Sequence, residues 1–373
     1  MKSYANALLG AMLVSNTVSA QAQQHPERIE EVIVIAHPLS GEGLAQAHAV
    51  LAGAELERKL ATNLGATLAA EPGVHSAQFG NAVGRPVIHG LGGPRVRIME
   101  DRIDTLDVSV TSADHAVAIE PFIAERIEVL KGSSTLLYGS GAIGGVVDVH
   151  TGRIPHYLSD QPVSGGVETR YDENTNGVST AVKLNGSLGE HFAWHLDGTW
   201  KDGDDYEIPG FAESSRLRAQ ETAEEGAPSD DEVRGKLPGS AFDMESRAAG
   251  ASYITDWGFL GAAISRIECD YGRPGGPHHE EGEEDPAADE PDGNPTLELE
   301  QTRFDAELGI VEPFAAFTSL NLRLGVNDYE HQEIEPNGEP ATKFTNEAWE
   351  LRGELTYELQ RWSGTVGVQH TDR

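Results

Sequence analysis

Past about residue 163 the chain alternates apolar and polar residues over long runs. Val182, Leu184, Gly186 and Leu188 interleave with Lys183, Asn185 and Ser187. Leu320, Leu322, Leu324 and Val326 interleave with Asn321, Arg323, Gly325 and Asn327. Trp349, Leu351, Gly353, Leu355 and Tyr357 interleave with Glu350, Arg352, Glu354, Thr356 and Glu358. A period of two sends successive side chains to opposite faces of a strand. A soluble β-sandwich alternates in the same way, but the longest of these runs reaches ten residues. That length suits tilted strands crossing a bilayer, apolar outside and polar inside. Trp194, Trp200, Tyr253, Trp257, Tyr271 and Trp362 stand near the predicted strand ends, as an interfacial girdle would.

The first 160 residues have a mixed texture. Leu56, Leu60, Leu64 and Leu68 recur every fourth position and predict a helix within 45–70, stopped by Pro72 and Gly73. Two β-branched runs, Arg126–Leu130 and Gly145–Val149, flank a turn of small residues with Gly139, Gly141, Gly144 and Gly145. Such density predicts positive φ angles and close backbone approach. Gly139 to Gly144 also fits the dinucleotide-binding fingerprint, which requires a helix after it. The residues that follow, Val146 to His150, are strand-like, so no helix N-terminus is offered to a phosphate. Further upstream, Glu30, Glu31, Val32, Ile33, Val34, Ile35 and Ala36 form an isolated β-prone run. It reads either as the first strand of the globular part or as a free strand that pairs with the sheet edge of a partner.

The stretch Glu120 to His150 resembles the plug domain of TonB-dependent outer-membrane receptors. Leu64 to Val74 is similar to that family's plug helix and its Pro-Gly stop. Arg85–Leu91 and Arg95–Asp101 follow its pattern as well, with His89 in place of the usual arginine and Arg102 in place of the usual glycine. The resemblance implies an α+β plug over 45–155, followed over 156–373 by an antiparallel transmembrane β-barrel. It makes 23–44 a periplasmic segment in which Glu30–Ala36 is a TonB box, pairing with a TonB-type energising protein. Plugged barrels of this class have roughly 22 strands. We count about nine here, so the sequence reads as truncated and the barrel as incomplete.

Composition narrows the class further. Lys2, the apolar run Ala7–Val14 and the small residues around Ala20 and Ala22 predict a secretory signal over 1–22, addressed to the outer membrane in this reading. The net charge of −34 excludes nucleic acid, whose phosphates would be repelled, and favours cations or basic partners. The single cysteine, Cys269, allows no internal disulfide and reads as a buried small side chain. No Ser-His-Asp, Cys-His or paired-carboxylate constellation stands out, so neither an enzyme nor a catalytic cofactor is expected.

Candidate ligands for a cation fall in three places. Loops near 203–240 and 272–297 break the strand pattern and would face outside. The second carries His278, His279, Glu280 and Glu281, whose imidazoles and carboxylates suit zinc; a solvated acidic loop is the alternative. Asp114 and His115 sit side by side in a predicted plug loop. The wording of Ser109 to Ala116 resembles the zinc-uptake branch of the receptors, which implies that Asp114 and His115 bind metal with further ligands from the barrel. His191, His195 and Asp197 fall on the polar face of their strand and read as lumen hydration, with a metal relay as the alternative. The expectation is a transporter for a divalent metal, zinc foremost, with outer-membrane lipid and a metal ion or chelate as its other partners. The rivals are a siderophore or haem receptor, and a calcium-binding surface adhesin.

Overall fold

The computed structural model describes residues 48–225, 233–274 and 294–373. The signal segment, the Glu30–Ala36 run and the loop residues His278, His279, Glu280 and Glu281 lie outside the described residues. The first layer comprises β1 (His48–Ala52), α1 (Gly53–Lys59), α2 (Leu64–Leu68), β2 (Val74–Phe79), β3 (Val83–Ile88), β4 (Val96–Glu100), β5 (Ile103–Asp104), β6 (Arg126–Leu130) and β7 (Gly145–His150). Five strands form a mixed sheet in the order β1-β6-β7-β4-β5, in which β4 and β7 run parallel; β2 and β3 form a separate hairpin. Leu51, Leu56, Leu64, Leu68, Ile127 and Val147 share its buried core.

The single helix expected within 45–70 is two short helices preceded by a strand. The four-residue leucine spacing survives, but polar caps break the helix in the middle. Asn63 accepts a hydrogen bond from the Ala66 amide at 2.8 Å, and Thr67 accepts from the Ala61 amide at 3.1 Å. An asparagine cap restarts a helix more favourably than it continues one.

The glycine turn behaves as its composition predicts. Gly139 sits at φ +81°. A Cβ on Gly144 would lie 2.9 Å from the Arg95 carbonyl oxygen. A strand follows the turn, which removes the nucleotide reading. Asp101 and Arg102 turn the chain between β4 and β5 at φ +48° and +70°. A side chain in this region costs about 1–2 kcal/mol, and Arg102 offsets it with a buried ion pair to Glu354 at 2.7 Å.

The second layer comprises β8 (Val163–Asp172), β9 (Gly177–Leu188), β10 (Phe192–Gly203), β11 (Glu207–Phe211), α3 (Ser215–Glu225), β12 (Arg234–Lys236), β13 (Phe242–Thr255), β14 (Gly258–Gly272), β15 (Thr296–Phe314), β16 (Phe317–Ile334), β17 (Pro340–Leu359) and β18 (Trp362–Asp372). Nine of these strands form one antiparallel wall in the order β18-β17-β16-β15-β14-β13-β10-β9-β8, an open sheet that does not close on itself. Short turns join the strands at one end; the connections 204–241 and 273–295 lie at the other. The first of these, expected as a loop, contains the β11–β12 hairpin and α3.

Alternation sorts the wall into two chemistries. Its outer face has an apolar rung running Ala249, Ile264, Phe304, Val326 and Trp349 across neighbouring strands. Two rungs toward the long loops, Glu245, Glu268, Glu300 and Glu330 stand directly opposite one another on four strands. The next outward-facing rung reads Asp202, Asp243, Asp270 and Glu298. Like charges opposed in this way are unfavourable. Arg266 relieves part of the strain through ion pairs to Glu268 and Glu300, as Lys343 does at Glu330. Trp200, Trp257 and Trp362 are exposed on the wall and Trp194 and Trp349 half-buried. Tyr271 departs from the expected girdle: it faces inward and is buried.

The inner face is packed against the first layer rather than left to water. Arg153 bridges Glu100 at 2.8 Å and Asp197 of β10 at 3.0 Å. Lys201 pairs with Glu120 at 2.6 Å, with both side chains fully buried. Its ammonium also lies 4.1 Å from the Phe122 ring centre and donates to the Thr62 carbonyl at 3.2 Å. Arg97 reaches Glu350 at 2.8 Å.

One buried group inside the plug gives a pH dependence. His150 Nε2 lies 3.4 Å from Asp148 and 3.5 Å from Glu128, and Nδ1 lies 3.8 Å from Asp101. The charges of Arg126 and Arg102 also act on the ring and oppose its protonation. Burial, helped by Arg126, holds the imidazole down to about 4 from the ordinary 6.5, while burial pushes the Asp148 carboxyl up. Folded His150 thus stays neutral in a range where the unfolded chain takes up a proton. Its contribution to stability is complete above pH 6.5 and is lost as pH falls toward 4, by on the order of 1–3 kcal/mol. Asp148 acts in the opposite sense: its contribution is complete below the ordinary carboxyl value and is lost as pH rises through its folded one. A His150→Gln variant should therefore lose the acid-side decline and keep the opposite slope. Amide exchange of the plug between pH 4 and 7 measures this; an unchanged slope assigns the effect elsewhere.

Candidate functional site

Between β5 and β6 the chain makes a long excursion over residues 105–125, and the wall grips its base. Leu106, buried and at φ +56°, accepts at its carbonyl from Asn327 at 2.9 Å and Asn346 at 2.7 Å. Gln301 donates to the Thr105 carbonyl at 2.9 Å. The Asp107 carboxylate ties the two ends of the tip together, accepting from the Ser109 amide and hydroxyl and from the Ala118 amide. Burial raises its pKa. The Thr105 and Leu106 carbonyls and the Ser109 and Ala118 amides thus find partners, as a buried loop requires.

The tip presents His115, which is only 5 % exposed. Thr111 gives its hydroxyl proton to the Val108 carbonyl at 2.7 Å, so toward His115 Nδ1, 2.9 Å away, it can only accept. The Val108 carbonyl, 3.2 Å from the same nitrogen, also only accepts. Nδ1 therefore holds the proton and Nε2 the free lone pair. A histidine fixed in this way is oriented for metal binding.

Facing it from β16 is His331, fully buried, with its ring centre 4.3 Å from that of His115. His331 Nδ1 lies 3.3 Å from the Tyr329 hydroxyl, whereas Nε2 has no hydrogen-bond partner among the described residues. Phe344, opposite His331 in the β16–β17 ladder, closes the side at 5.1 Å from the His115 ring. Asp114 is half-buried, and its carboxylate accepts from the Ser112 hydroxyl. Among the described residues no group of three or more His, Cys, Asp or Glu side chains is arranged to hold a metal ion. The two imidazoles by themselves do not make up such a group.

The residues singled out on β10 do not join it. His195 lies between Asn185 Oδ1 at 2.6 Å and Asp197 at 2.9 Å, and Asp197 is also held by Arg153. Both ring nitrogens are engaged, which leaves no lone pair for a relay. His191 falls outside the strand, in the β9–β10 turn, 3.0 Å from the Ile254 carbonyl. Cys269 is buried among apolar side chains, as expected of a small structural residue.

Sequence reasoning missed His331 and Phe344 and set Tyr271 in the outer girdle. A usable signal existed for one of them: Asn327, Tyr329 and His331 are the inward set at the loop end of β16. Pairing His331 with residue 115 required the fold.

Residues 42–146 match the family model of the TonB-dependent Receptor Plug Domain. A ferrioxamine receptor of Yersinia enterocolitica is 31% identical over 90 residues, 24% of this chain and 12% of that receptor. The solved copper transporter OprC superposes over 87% of this chain and 45% of its own, with a TM-score of 0.63 and 14% identity. The FrpB iron transporter of Neisseria meningitidis covers 87% and 47%, with a TM-score of 0.60 and 15% identity. This chain therefore spans about half the length of the solved structures it matches. At these identities the likeness is one of fold: a plug followed by a large antiparallel sheet. The family match thus identifies a plug domain over 42–146, and the shared fold sets a large antiparallel sheet after it.

Proposed function

We propose that this protein is an outer-membrane receptor for active uptake of a divalent metal, with zinc as the cargo. The observation that carries the reading is the pair His115 and His331. One imidazole comes from the plug and one from the wall, at the end of the wall that bears the long connections. The first has its outer nitrogen fixed free, and the second has a nitrogen with no partner. Neutral imidazole with carboxylate is a zinc donor set, whereas calcium prefers oxygen alone. In this reading Asp114 turns from Ser112 to the metal. His278, His279, Glu280 and Glu281 capture the ion from outside, and the membrane meets the wall at its apolar rungs.

Copper accepts the same ligands, and the likeness to a ferrioxamine receptor over 90 residues makes a ferric-chelate receptor the second reading. The titration that separates them offers zinc, copper and a ferric hydroxamate to the intact protein in detergent. Binding of zinc with the highest affinity supports the proposal, and binding of the ferric chelate alone removes it.

Energy in this reading enters through Glu30–Ala36, which adds as a strand to the sheet of a TonB-type protein. Proline at Ile33 removes a backbone donor from that strand. An Ile33→Pro variant should stop uptake into cells while metal affinity is unchanged. Uptake at the parental rate would place the docking strand elsewhere.

A further inference from the structure

We propose that Tyr271 is the positioning residue of the metal loop, a wall side chain that sets the direction of His115 by holding the backbone on both sides of it. The proposal rests on the reading of His115 as a metal ligand.

The Tyr271 hydroxyl donates to the Asp114 carbonyl at 3.0 Å and accepts from the Ala116 amide at 2.9 Å. One oxygen thus satisfies the two peptide groups that flank His115, as a paired strand would, in a loop with no strand beside it. The ring is 2 % exposed and packs with Ala116, Phe242 and Tyr329, so the hydroxyl is itself fixed in place. With both flanking peptides held, the Cα–Cβ direction of His115 is held too, and the Thr111 and Val108 contacts then set the rotation of its ring.

Tyr271 is also the last residue but one of β14, directly before the 273–295 connection. Arg273 is anchored to Glu333 at 3.0 Å. Pro274 packs against Gly80 so closely that a Cβ there would come within 2.9 Å of it. The strand that launches the acidic connection and the loop that carries the plug histidine therefore meet at one hydroxyl.

The test is Tyr271→Phe, which keeps the ring and its packing and removes the hydroxyl alone. Two buried peptide groups lose their partner, and the loop relaxes to hydrate them. Without metal, amide exchange in a peptide covering 112–118 should speed up at least tenfold. The half-saturating zinc concentration for uptake should rise about tenfold or more, as for loss of other supporting partners of a metal ligand. The maximal uptake rate should stay at the parental value. A role confined to folding would instead lower the maximal rate through a smaller folded population and leave half-saturation alone, which would overturn the proposal. Parental exchange at 112–118 would overturn it as well, since the clamp would then not exist. The exchange arm needs no metal, so it judges the clamp even if His115→Ala binds zinc like the parent and the zinc reading fails.

Discussion

His115→Ala is expected to weaken zinc binding by roughly 100-fold or more. Losing an outer partner of a ligand already costs 10–100-fold, and here the coordinating nitrogen itself is removed. No neighbouring side chain can replace it. The Thr111 hydroxyl and the Val108 carbonyl lie on the Nδ1 side, and Phe344 offers no donor. His331→Ala should lose affinity to a similar extent, since the second imidazole comes from the opposite wall. Removing both should cost little beyond either single change, because one ligand alone holds no ion tightly. Imidazole binds metal only when neutral, so parental affinity should decline as the pH falls. Zinc titration calorimetry on the three variants decides the matter: affinity within a factor of three of the parent in both single variants would remove the site from the loop.

The second large effect is expected at the buried pair Lys201 and Glu120. Lys201→Met keeps the volume and removes the charge, leaving a fully buried carboxylate with only the Phe122 amide at 2.8 Å and the Thr199 hydroxyl at 3.3 Å. Breaking such a pair from one side costs about 3–5 kcal/mol, whereas replacing both partners with apolar groups is near neutral. The plug of Lys201→Met should therefore loosen, and Lys201→Met with Glu120→Leu should recover most of the loss. Exchange protection of residues 116–123 measures both. A double variant as unstable as the single one would mean that lysine packing on Phe122, rather than the charge, holds the plug.

Much of this architecture was legible from residues alone because its causes are local. Alternation in β16 and β17 follows from one face packing on the plug and the other turning away from it, and a period of two survives any tertiary detail. The glycine turn before β7 was legible because only glycine accepts φ +81° and the close approach of the Arg95 carbonyl. The helical stripe was misread because leucine spacing records the buried face and says little of chain continuity; the Asn63 cap and the Thr67 hydroxyl divide it. Asp114 and His115 were found by resemblance, and the structure puts the second in a buried tip and leaves the first beside Ser112. His331 is 216 residues further along, on a strand whose inward face is mostly polar, so no spacing rule links it to the loop. Tyr271 was misassigned for a related reason: near a strand end an aromatic may point either way, and the parity of β14 sends this one inward.

All five tryptophans, at 194, 200, 257, 349 and 362, belong to the wall and none to the plug. Intrinsic fluorescence of this protein is consequently a spectroscopy of the wall alone. Its emission should shift to the blue when the strands enter lipid or detergent, and brominated acyl chains should quench it from outside through Trp200, Trp257 and Trp362. A plug that softens at low pH, or after Lys201 is replaced, would leave that spectrum almost unmoved. A melting curve recorded by emission would then describe the wall and not the plug. A single tryptophan placed at the exposed Leu136 would make the plug visible.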